Sequence, residues 1–206
     1  LGVKFHFISK VDKIHISNKK AIGISSNDKD FFSDIVISNS DVVPTYRTLL
    51  KDQKSPEKTL RQPRSSSALI FYWGIRKEFP SLDLHNIFFS DDYNQEFKYI
   101  FKKQQVYNDP TVYVNITSKE NKSDAPKGCE NWFVMVNVPS NTGQDWDSII
   151  NNVRSNILEK LSISLSVNLE DLIEFETVLD PRLIESKTNS YQGALYGASS
   201  NNKFAA

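Results

Sequence analysis

The alternation of apolar and polar residues predicts short strands at the start of the chain. Residues 3–8 and 11–17 alternate in this way, and the turn signal Asn18-Lys19-Lys20 precedes a further predicted strand over 21–24. The β-branched run 35–37 is short and continuous, as is typical of a buried strand. The first part of the chain is therefore predicted to be a hairpin followed by a buried strand.

A helix is predicted directly after that strand, over residues 42–50. Asp41 is placed to cap it, and Pro44 falls in the first turn, where proline is tolerated. Residues 51–64 are polar and contain two prolines, which indicates a loop or a short exposed helix.

Strands and helices follow one another in the rest of the chain without strict alternation. Strands are predicted over 67–75, 87–89, 111–117, 132–138 and 172–179, helices over 93–103 and 144–164, and a short helical turn from Asp180-Pro181. The longest helix has an apolar stripe at steps of three and four, formed by Trp146, Ile149, Ile150, Val153, Ile157 and Leu161. Asn141 or Thr142 is its predicted cap. These elements predict an α+β fold, with a mixed or antiparallel sheet and helices on one side.

Composition narrows the classes of function. The 25 basic and 25 acidic residues balance, so no net field attracts nucleic acid. A single cysteine excludes an internal disulfide, and the three histidines show no metal-ligand spacing. No apolar run reaches the roughly 20 residues of a membrane span. The 13 Phe, eight Tyr and three Trp either fill a core or line a pocket for a long apolar ligand.

Four groups of segments resemble the bacterial and fungal phytoene desaturases, the flavin-dependent carotenoid desaturase family. Within the family the chain is most similar to the hydroxycarotenoid 3,4-desaturases. The resemblance covers nearly the whole chain. The segments together are specific for the family, whereas any one of them alone would be a weak signal. They are KVDKI (10–14) with DIVISNSDVVPTYRTLL (34–50), SSSALIFYWGI (65–75) with HNIFFSDDY (85–93), DPTVYVNITSK (109–119) with APKGCENWFVMVNVP (125–139), and DPRLIESKTNSYQGALYG (180–197).

The resemblance implies a flavoprotein with FAD as cofactor and a carotenoid as substrate. Residues 1–43 would be the hairpin and strand of a Rossmann-like FAD-binding domain, and residues 44–206 a substrate-binding domain. The family's Gly-rich dinucleotide motif is expected upstream of Leu1, and its C-terminal flavin segment beyond Ala206. The chain alone is therefore expected to be inactive. Such an enzyme is expected to be cytoplasmic and in peripheral contact with the membrane that dissolves its substrate.

The resemblance also implies cofactor-binding residues. Val11 falls where the family's hairpin places main-chain groups beside the adenine; otherwise it is an ordinary strand residue. Asn39, Ser40 and Asp41 follow the predicted buried strand and would lie near the flavin phosphates or ribityl chain. The same three residue types are common in plain turns and caps. Gly193 would let the backbone approach the flavin ring.

Substrate-binding residues are expected on the central strands and near the C-terminus. Tyr191, Gln192, Ala194 and Tyr196 surround Gly193 and would wall a tunnel beside the flavin, unless this is simply a glycine-rich connection. Four aromatic residues of the central strands are further candidates, although core packing would explain each of them equally: Phe71, Trp73, Phe88 and Phe89. No catalytic base is identified, since Asp91, Asp92 and Glu185 qualify only by residue type.

Three other functions stay open. An isomerase or saturase of the same fold would act on the polyene without removing hydrogen. A non-catalytic module would bind an apolar ligand or a partner. A flavin enzyme that oxidises amines or alcohols would need a polar pocket, which these apolar strands do not indicate.

Overall fold

A computed structural model describes residues 2–199 of the chain. These form two compact units, the first from residues 2–63 with Asn189–Tyr191, the second from Arg64–Thr188 with residues 192–199. The division falls later than the predicted domain boundary after residue 43. The two units are defined by contacts between residues and not by function. The assignment of a cofactor domain and a substrate domain therefore stays a prediction.

The first unit is built on a three-stranded antiparallel sheet. Its strands are β1 (Val11–Ser17), β2 (Lys20–Ser26) and β3 (Lys29–Phe32), in the order β1-β2-β3. Helix α1 (Val42–Pro44) continues as a wider π-helical turn (Thr45–Leu49), and α2 (Glu57–Leu60) is one short turn. The hairpin and the 42–50 helix are confirmed, whereas β3 was not predicted.

Two predicted strands of this unit are wrong. Residues 3–8 and 35–37 are not in strands, and Ile35 and Ile37 are 74% and 88% exposed rather than buried. A strand needs a neighbour for its N–H and C=O groups, and no pairing with either segment occurs in the described part of the chain. Alternation and β-branching favour an extended chain, but they do not supply the neighbour.

The second unit contains a five-stranded sheet in which every pairing is antiparallel. Its strands are β4 (Ser67–Ile75), β5 (His85–Phe88), β6 (Val112–Asn115), β7 (Glu130–Val138) and β8 (Ile173–Leu179), in the order β5-β6-β7-β4-β8. All five strands were predicted to within a few residues. Central β4 is buried on both faces over most of its length, which explains its continuous apolar sequence.

Helix α4 (Trp146–Leu165) covers one face of this sheet. Its predicted stripe is confirmed, since Trp146, Val153, Ile157 and Leu161 are at most 3% exposed. The cap differs from the prediction: the Asp145 carboxylate accepts the Ser148 N–H at 3.2 Å. Asp145 lies immediately before the first helical turn, where a carboxylate reaches the free N–H groups and suits the helix dipole.

The other helices of this unit are shorter. Helix α3 (Tyr93–Lys98) continues as a π-helical turn (Tyr99–Lys103), confirming the 93–103 prediction, and α5 (Pro181–Thr188) follows β8. Ile184 of α5 packs with Ala68 and Ile70, on the sheet face opposite α4. The expectation of helices on one side is therefore wrong for α5. The fold is α+β, with antiparallel sheets in both units of the described chain.

Candidate functional site

A cleft of about 440 Å³ opens in the first unit, beside the β1–β3 sheet. Val11, Asn39 and Ser40, all predicted to bind the cofactor, line this cleft together. Its remaining walls are mostly apolar side chains of the sheet, of the 35–37 segment and of Leu49. The 35–37 residues thus serve as a cleft wall instead of a buried strand.

Asp41 has a structural role next to the cleft. One carboxylate oxygen accepts the Val43 N–H at 2.8 Å, which caps α1 as predicted. The other accepts the Tyr191 N–H at 3.3 Å. The structure therefore brings two predicted site residues, Asp41 and Tyr191, into direct contact within the first unit.

Residues 192–198 of the second unit run beside the start of β4. The Ser67 hydroxyl donates to the Gly193 carbonyl at 2.6 Å, and the Leu195 N–H donates to the Ser66 carbonyl at 3.1 Å. Ala194 is 1% exposed, whereas Tyr196 is 79% exposed. Within this segment Ala194 is packed and Tyr196 is accessible; the predicted roles of both stay predictions.

Gly193 has a packing reason to be glycine. Its φ of +64° disfavours other residues, and an added Cβ would collide with the Pro181 carbonyl oxygen. The preceding residue, Gln192, is also held by the protein. Its N–H donates to the Glu185 carboxylate at 2.9 Å, and its carbonyl oxygen accepts the Asn141 N–H at 2.7 Å. The structure thus gives Gly193 a close neighbour inside the protein, and a contact with flavin stays a prediction.

The four aromatic candidates of the central strands lie in different surroundings. Phe71 and Trp73 are 0% and 2% exposed in the core beneath α4, and the Trp73 indole N–H donates to Glu176 at 2.6 Å. Phe88 packs against the same core, while Phe89 lies beyond the end of β5 and is 67% exposed. Side chains alternate across a strand, so the face of the sheet opposite Phe71 and Trp73 is the one that does not pack against α4.

That opposite face carries a row of rings that sequence reasoning missed. Each strand contributes one ring, and together they form what we call the aromatic row: His85, Tyr113, Phe133, Tyr72 and Phe175. The ring centroids are 6.0 Å apart for His85–Tyr113, 6.2 Å for Tyr113–Phe133 and 5.5 Å for Phe133–Tyr72. Three of the five, His85, Tyr72 and Phe175, are exposed.

Phe175 lies at the β8 end of the row, on the same face of the sheet, and its partner on β4 is a glycine. Gly74 pairs with Phe175, and an added Cβ at Gly74 would lie 3.3 Å from the Phe175 Cβ. At a strand spacing of about 4.8 Å, five strands carry the row over roughly 19 Å. The exposed rings of Tyr72 and Phe175 on this face form a candidate surface for an apolar ligand.

A polar cluster, formed by His85, Tyr113 and Asn115, ends the row on β5 and β6. The His85 Nδ1 lies 2.8 Å from the Tyr113 hydroxyl and 3.2 Å from the Asn115 amide nitrogen. That amide nitrogen also donates to the Leu84 carbonyl at 3.0 Å. The row is thus apolar along most of its length and polar at this end.

Two of the acidic candidates for a catalytic base, Asp92 and Glu185, use their carboxylates in structural hydrogen bonds, whereas the contact of Asp91 is made by its backbone N–H. Asp92 caps α3 by accepting the Gln95 N–H at 3.0 Å, and the Asp91 N–H donates to Asp109 at 2.7 Å. Glu185 accepts from Gln192 and from the Asn141 amide. None of these contacts indicates a base, and the catalytic residue stays unidentified.

Over residues 2–199 no group of His, Cys, Asp and Glu side chains could hold a metal ion. None of the helices in this range is both long and apolar enough to cross a membrane.

Comparison with known proteins gives clear relatives, although no protein-family model matches the chain. The 1-hydroxycarotenoid 3,4-desaturase of Flavobacterium sp. (strain P99-3) is 57% identical over 100% of this chain and 42% of the relative. The phytoene desaturase of Fusarium fujikuroi is 33% identical over 97% of the chain and 39% of the relative. The 4,4'-diaponeurosporene oxygenase of Staphylococcus aureus (strain bovine RF122 / ET3-1) is 30% identical over 98% and 41%.

One solved structure, an oxidoreductase from Methanosarcina mazei, is 16% identical with a TM-score of 0.49, over 82% of this chain and 36% of that one. This likeness is too slight to support a conclusion. The chain spans about two fifths of the length of the sequence relatives named above. Because the similarity to the desaturases, at 57% and 33% identity, spans 100% and 97% of the chain, the chain belongs to the carotenoid desaturase family.

Proposed function

We propose that the protein is an FAD-dependent carotenoid desaturase, which removes hydrogen from a C–C bond of a polyene to form a C=C bond. The structural observation that carries this proposal is the aromatic row, in a chain 57% identical to a 1-hydroxycarotenoid 3,4-desaturase. By that similarity the substrate is a hydroxylated carotenoid. The chain covers part of such an enzyme, so the proposal concerns the whole protein.

The cleft of the first unit fits the nucleotide part of FAD. A flat base needs apolar walls together with a donor and an acceptor, and a strand edge offers both. Val11 begins β1, which is an edge strand of its sheet, and apolar side chains of β2 and β3 form the wall beside it. Asn39 and Ser40 add polar groups on the same cleft. We propose that Val11 lies beside the adenine of the cofactor and that Asn39 and Ser40 lie near its phosphates or ribityl chain.

When bound, a flavin supplies the hydride acceptor that no amino-acid side chain provides. The residues of this chain would position the substrate. A polyene is a long, flat hydrocarbon, and aromatic rings give it a large contact area at little cost in side-chain entropy. Tyr72 and Phe133, at the centre of the row, would contact its middle, while the Phe71 and Trp73 rings pack in the core on the other face of the sheet.

The proposed function also implies where the enzyme works and what residues 191–196 do. Carotenoids dissolve in membranes, so the whole enzyme would contact a membrane peripherally. Gly193 and the residues around it, Tyr191, Gln192, Ala194 and Tyr196, would lie near the flavin ring, as the family resemblance implies. The accessible Tyr196 ring is the most direct of these to test.

The test uses the full-length protein. It should bind FAD and convert a hydroxylated carotenoid in liposomes to a product lighter by two hydrogen atoms, detected by mass spectrometry. An unchanged mass would indicate isomerisation, and a gain of two hydrogen atoms would indicate saturation. Protein that takes up no FAD and leaves the polyene unchanged would refute the proposal.

A further inference from the structure

Another cavity, of about 440 Å³, lies in the second unit between α4 and the chain that follows α3. Its walls are the π-helical turn at Tyr99–Lys103, the loop over 104–108 and one side of α4. The volume is in the range of binding sites for small molecules. None of the residues assigned above to cofactor or substrate lines this cavity, so those roles do not explain it.

Amide side chains dominate the lining of this cavity, which we call the amide groove. One charged side chain, Lys103, and no carboxylate are among the described residues that line it. The Lys103 ammonium lies 3.6 Å from the centre of the Tyr99 ring, so its charge is already engaged by the same wall. The lining residues that carry an amide are Gln104, Gln105, Asn108, Gln144, Asn152 and Asn156.

Two of these amides hold the groove in shape. The Gln104 amide nitrogen donates to the Ile100 carbonyl at 3.2 Å, at the end of the π-helical turn. The Gln144 amide nitrogen donates to the Ser140 carbonyl at 3.0 Å, and its oxygen accepts the Thr142 N–H at 2.8 Å. Single π-helical turns are frequent at functional sites, and this one forms a wall of the groove.

The other four amides make no side-chain hydrogen bond with any described residue, and two of them lie within α4. Asn152 and Asn156 are four residues apart, so both side chains face the groove from one side of the helix. Asparagine is a poorer helix former than alanine, because its amide competes with the backbone for hydrogen bonds. In the interior of a 20-residue helix neither residue caps an end. Such a departure from local preference is expected at functional sites.

We infer that the amide groove binds a neutral sugar, either free or as the headgroup of a glycolipid. Each amide presents two N–H donors and a carbonyl acceptor, and each sugar hydroxyl both donates and accepts. The unpartnered amides therefore match a ligand that carries several hydroxyl groups. Tyr107, whose ring lies 5.1 Å from that of Tyr99, and Val153 give the groove apolar walls for the C–H face of a sugar ring.

Charge and polarity separate this class of ligand from others. Phosphates and carboxylates bind best to cationic donors, and the one cation among the described lining residues, Lys103, lies on the Tyr99 ring. A hydrocarbon would cover the four amides without giving them partners, which is unfavourable. The inference does not depend on the proposed desaturase function.

The experiment measures sugar binding to the full-length protein with FAD by saturation-transfer NMR. Cellobiose, maltose and lactose are the neutral probes, and glucose 6-phosphate is the charged one. Vesicles of phosphatidylcholine, with and without monogalactosyldiacylglycerol, distinguish a glycolipid headgroup from a free sugar. Asn152→Ala and Asn156→Ala each remove one amide of the groove. Asn151→Ala is the matched control, since Asn151 is an exposed asparagine of the same helix that does not line the groove.

We expect a neutral disaccharide or the glycolipid vesicle to bind, and each groove variant to weaken that binding about tenfold. Asn151→Ala should leave binding unchanged, and glucose 6-phosphate should bind no more tightly than the neutral sugars. All three substitutions should keep or raise the melting temperature, because alanine favours the helix. Loss of binding by a protein that melts no earlier cannot come from unfolding.

Three results would overturn the inference: no binding of any neutral sugar or glycolipid vesicle, equal losses for Asn151→Ala and Asn152→Ala, or tighter binding of the charged sugar than of every neutral one. Failure of the proposed function is read from a different measurement, the product mass of the carotenoid. Sugar binding that Asn152→Ala weakens, in a protein that removes no hydrogen from a polyene, would leave the inference standing and refute the desaturase proposal.

Discussion

The Ser67 hydroxyl donates a 2.6 Å hydrogen bond to the carbonyl oxygen of Gly193, 126 residues further along the chain. Ser67 is 0% exposed, so water cannot replace this bond. The contact ties the first residue of β4 to the 192–198 segment and holds Ala194 in its buried position.

Ser67→Ala is therefore expected to lower the free energy of unfolding by about 1–3 kcal/mol, because it leaves a buried carbonyl without its donor. Urea unfolding measures the change. Ser81→Ala, at an exposed position, is the control and should stay within about 0.5 kcal/mol of the unchanged protein. Equal effects of the two substitutions would contradict the importance of this contact.

Gly193→Ala and Gly197→Ala separate backbone strain from steric collision. Both glycines have a left-handed backbone, with φ of +64° and +66°, but among residues 2–199 only a methyl group at Gly193 would meet another atom, the Pro181 carbonyl oxygen. The conformational cost is about 1–2 kcal/mol at either position.

Gly193→Ala should therefore lower the free energy of unfolding more than Gly197→Ala does, by at least about 1 kcal/mol. Chemical denaturation of the two variants side by side measures the difference. If Gly197→Ala proves as costly, the collision with Pro181 is not what requires glycine at 193.

Asp180 is expected to make stability depend on pH. Burial alone would raise the pKa of this carboxyl, but hydrogen bonds from the Arg182 guanidinium and from the N–H groups of Leu183 and Arg182 outweigh it and lower the pKa below the usual value. A lowered pKa in the folded state stabilises the protein above the unfolded-state value, near pH 4, and this stability is lost as pH falls through the folded-state pKa.

Asp180→Asn keeps an oxygen for capping α5 but removes the charge. It should lower stability at pH 7, and this loss should be smaller at about pH 3, below the usual pKa of the unfolded-state carboxyl, because the contribution of the charge declines as pH falls. Urea unfolding of both proteins at the two pH values checks this. A difference that is the same at both pH values would rule out the charge as its source.

Much of the second unit could be predicted because its sequence periods are strong. The 67–75 strand follows from a dense run of β-forming apolar residues, and α4 follows from a period-3.6 apolar stripe. The prediction of a strand over 35–37 was wrong. A β-branched run favours an extended backbone, but a strand also needs a neighbouring strand to pair with.

The candidate site could be predicted only in part, and β4 shows why. Its period places Phe71 and Trp73 on one face and Tyr72 on the other, but the sequence is apolar on both faces. Which face meets α4 depends on residues far away in the chain. The aromatic row was missed for this reason, although Gly74, whose missing Cβ makes room for Phe175, was an available signal.

The buried pair of Lys119 and Glu130 is expected to act as a unit. Their charged groups are 2.6 Å apart, with side chains 16% and 3% exposed, and Glu130 also accepts from the Phe79 N–H and the Trp132 indole N–H. Removing one partner leaves a buried charge uncompensated, which typically costs about 3–5 kcal/mol.

Lys119→Met and Glu130→Gln should each destabilise the protein, and the double substitution should cost less than the sum of the two. The coupling energy from the double-mutant cycle is expected to be about 1–3 kcal/mol. Strictly additive losses in urea unfolding would mean that the two charges do not stabilise one another.

Phe175, at the end of the aromatic row, gives the most direct separation of substrate binding from stability. It is 63% exposed on β8, and Ile163 is 73% exposed on α4, away from the row. Phe175→Ser and Ile163→Ser each remove an exposed apolar side chain, so both variants should have a free energy of unfolding within about 0.5 kcal/mol of that of the unchanged protein.

Under the proposed function, only Phe175 contacts the polyene. Phe175→Ser in the full-length enzyme should therefore raise KM for the carotenoid about tenfold, since a buried aromatic contact contributes about 1.5–3 kcal/mol, while Ile163→Ser should leave KM unchanged. If the two variants changed KM alike, or if neither did, the polyene would have to bind somewhere other than along this row.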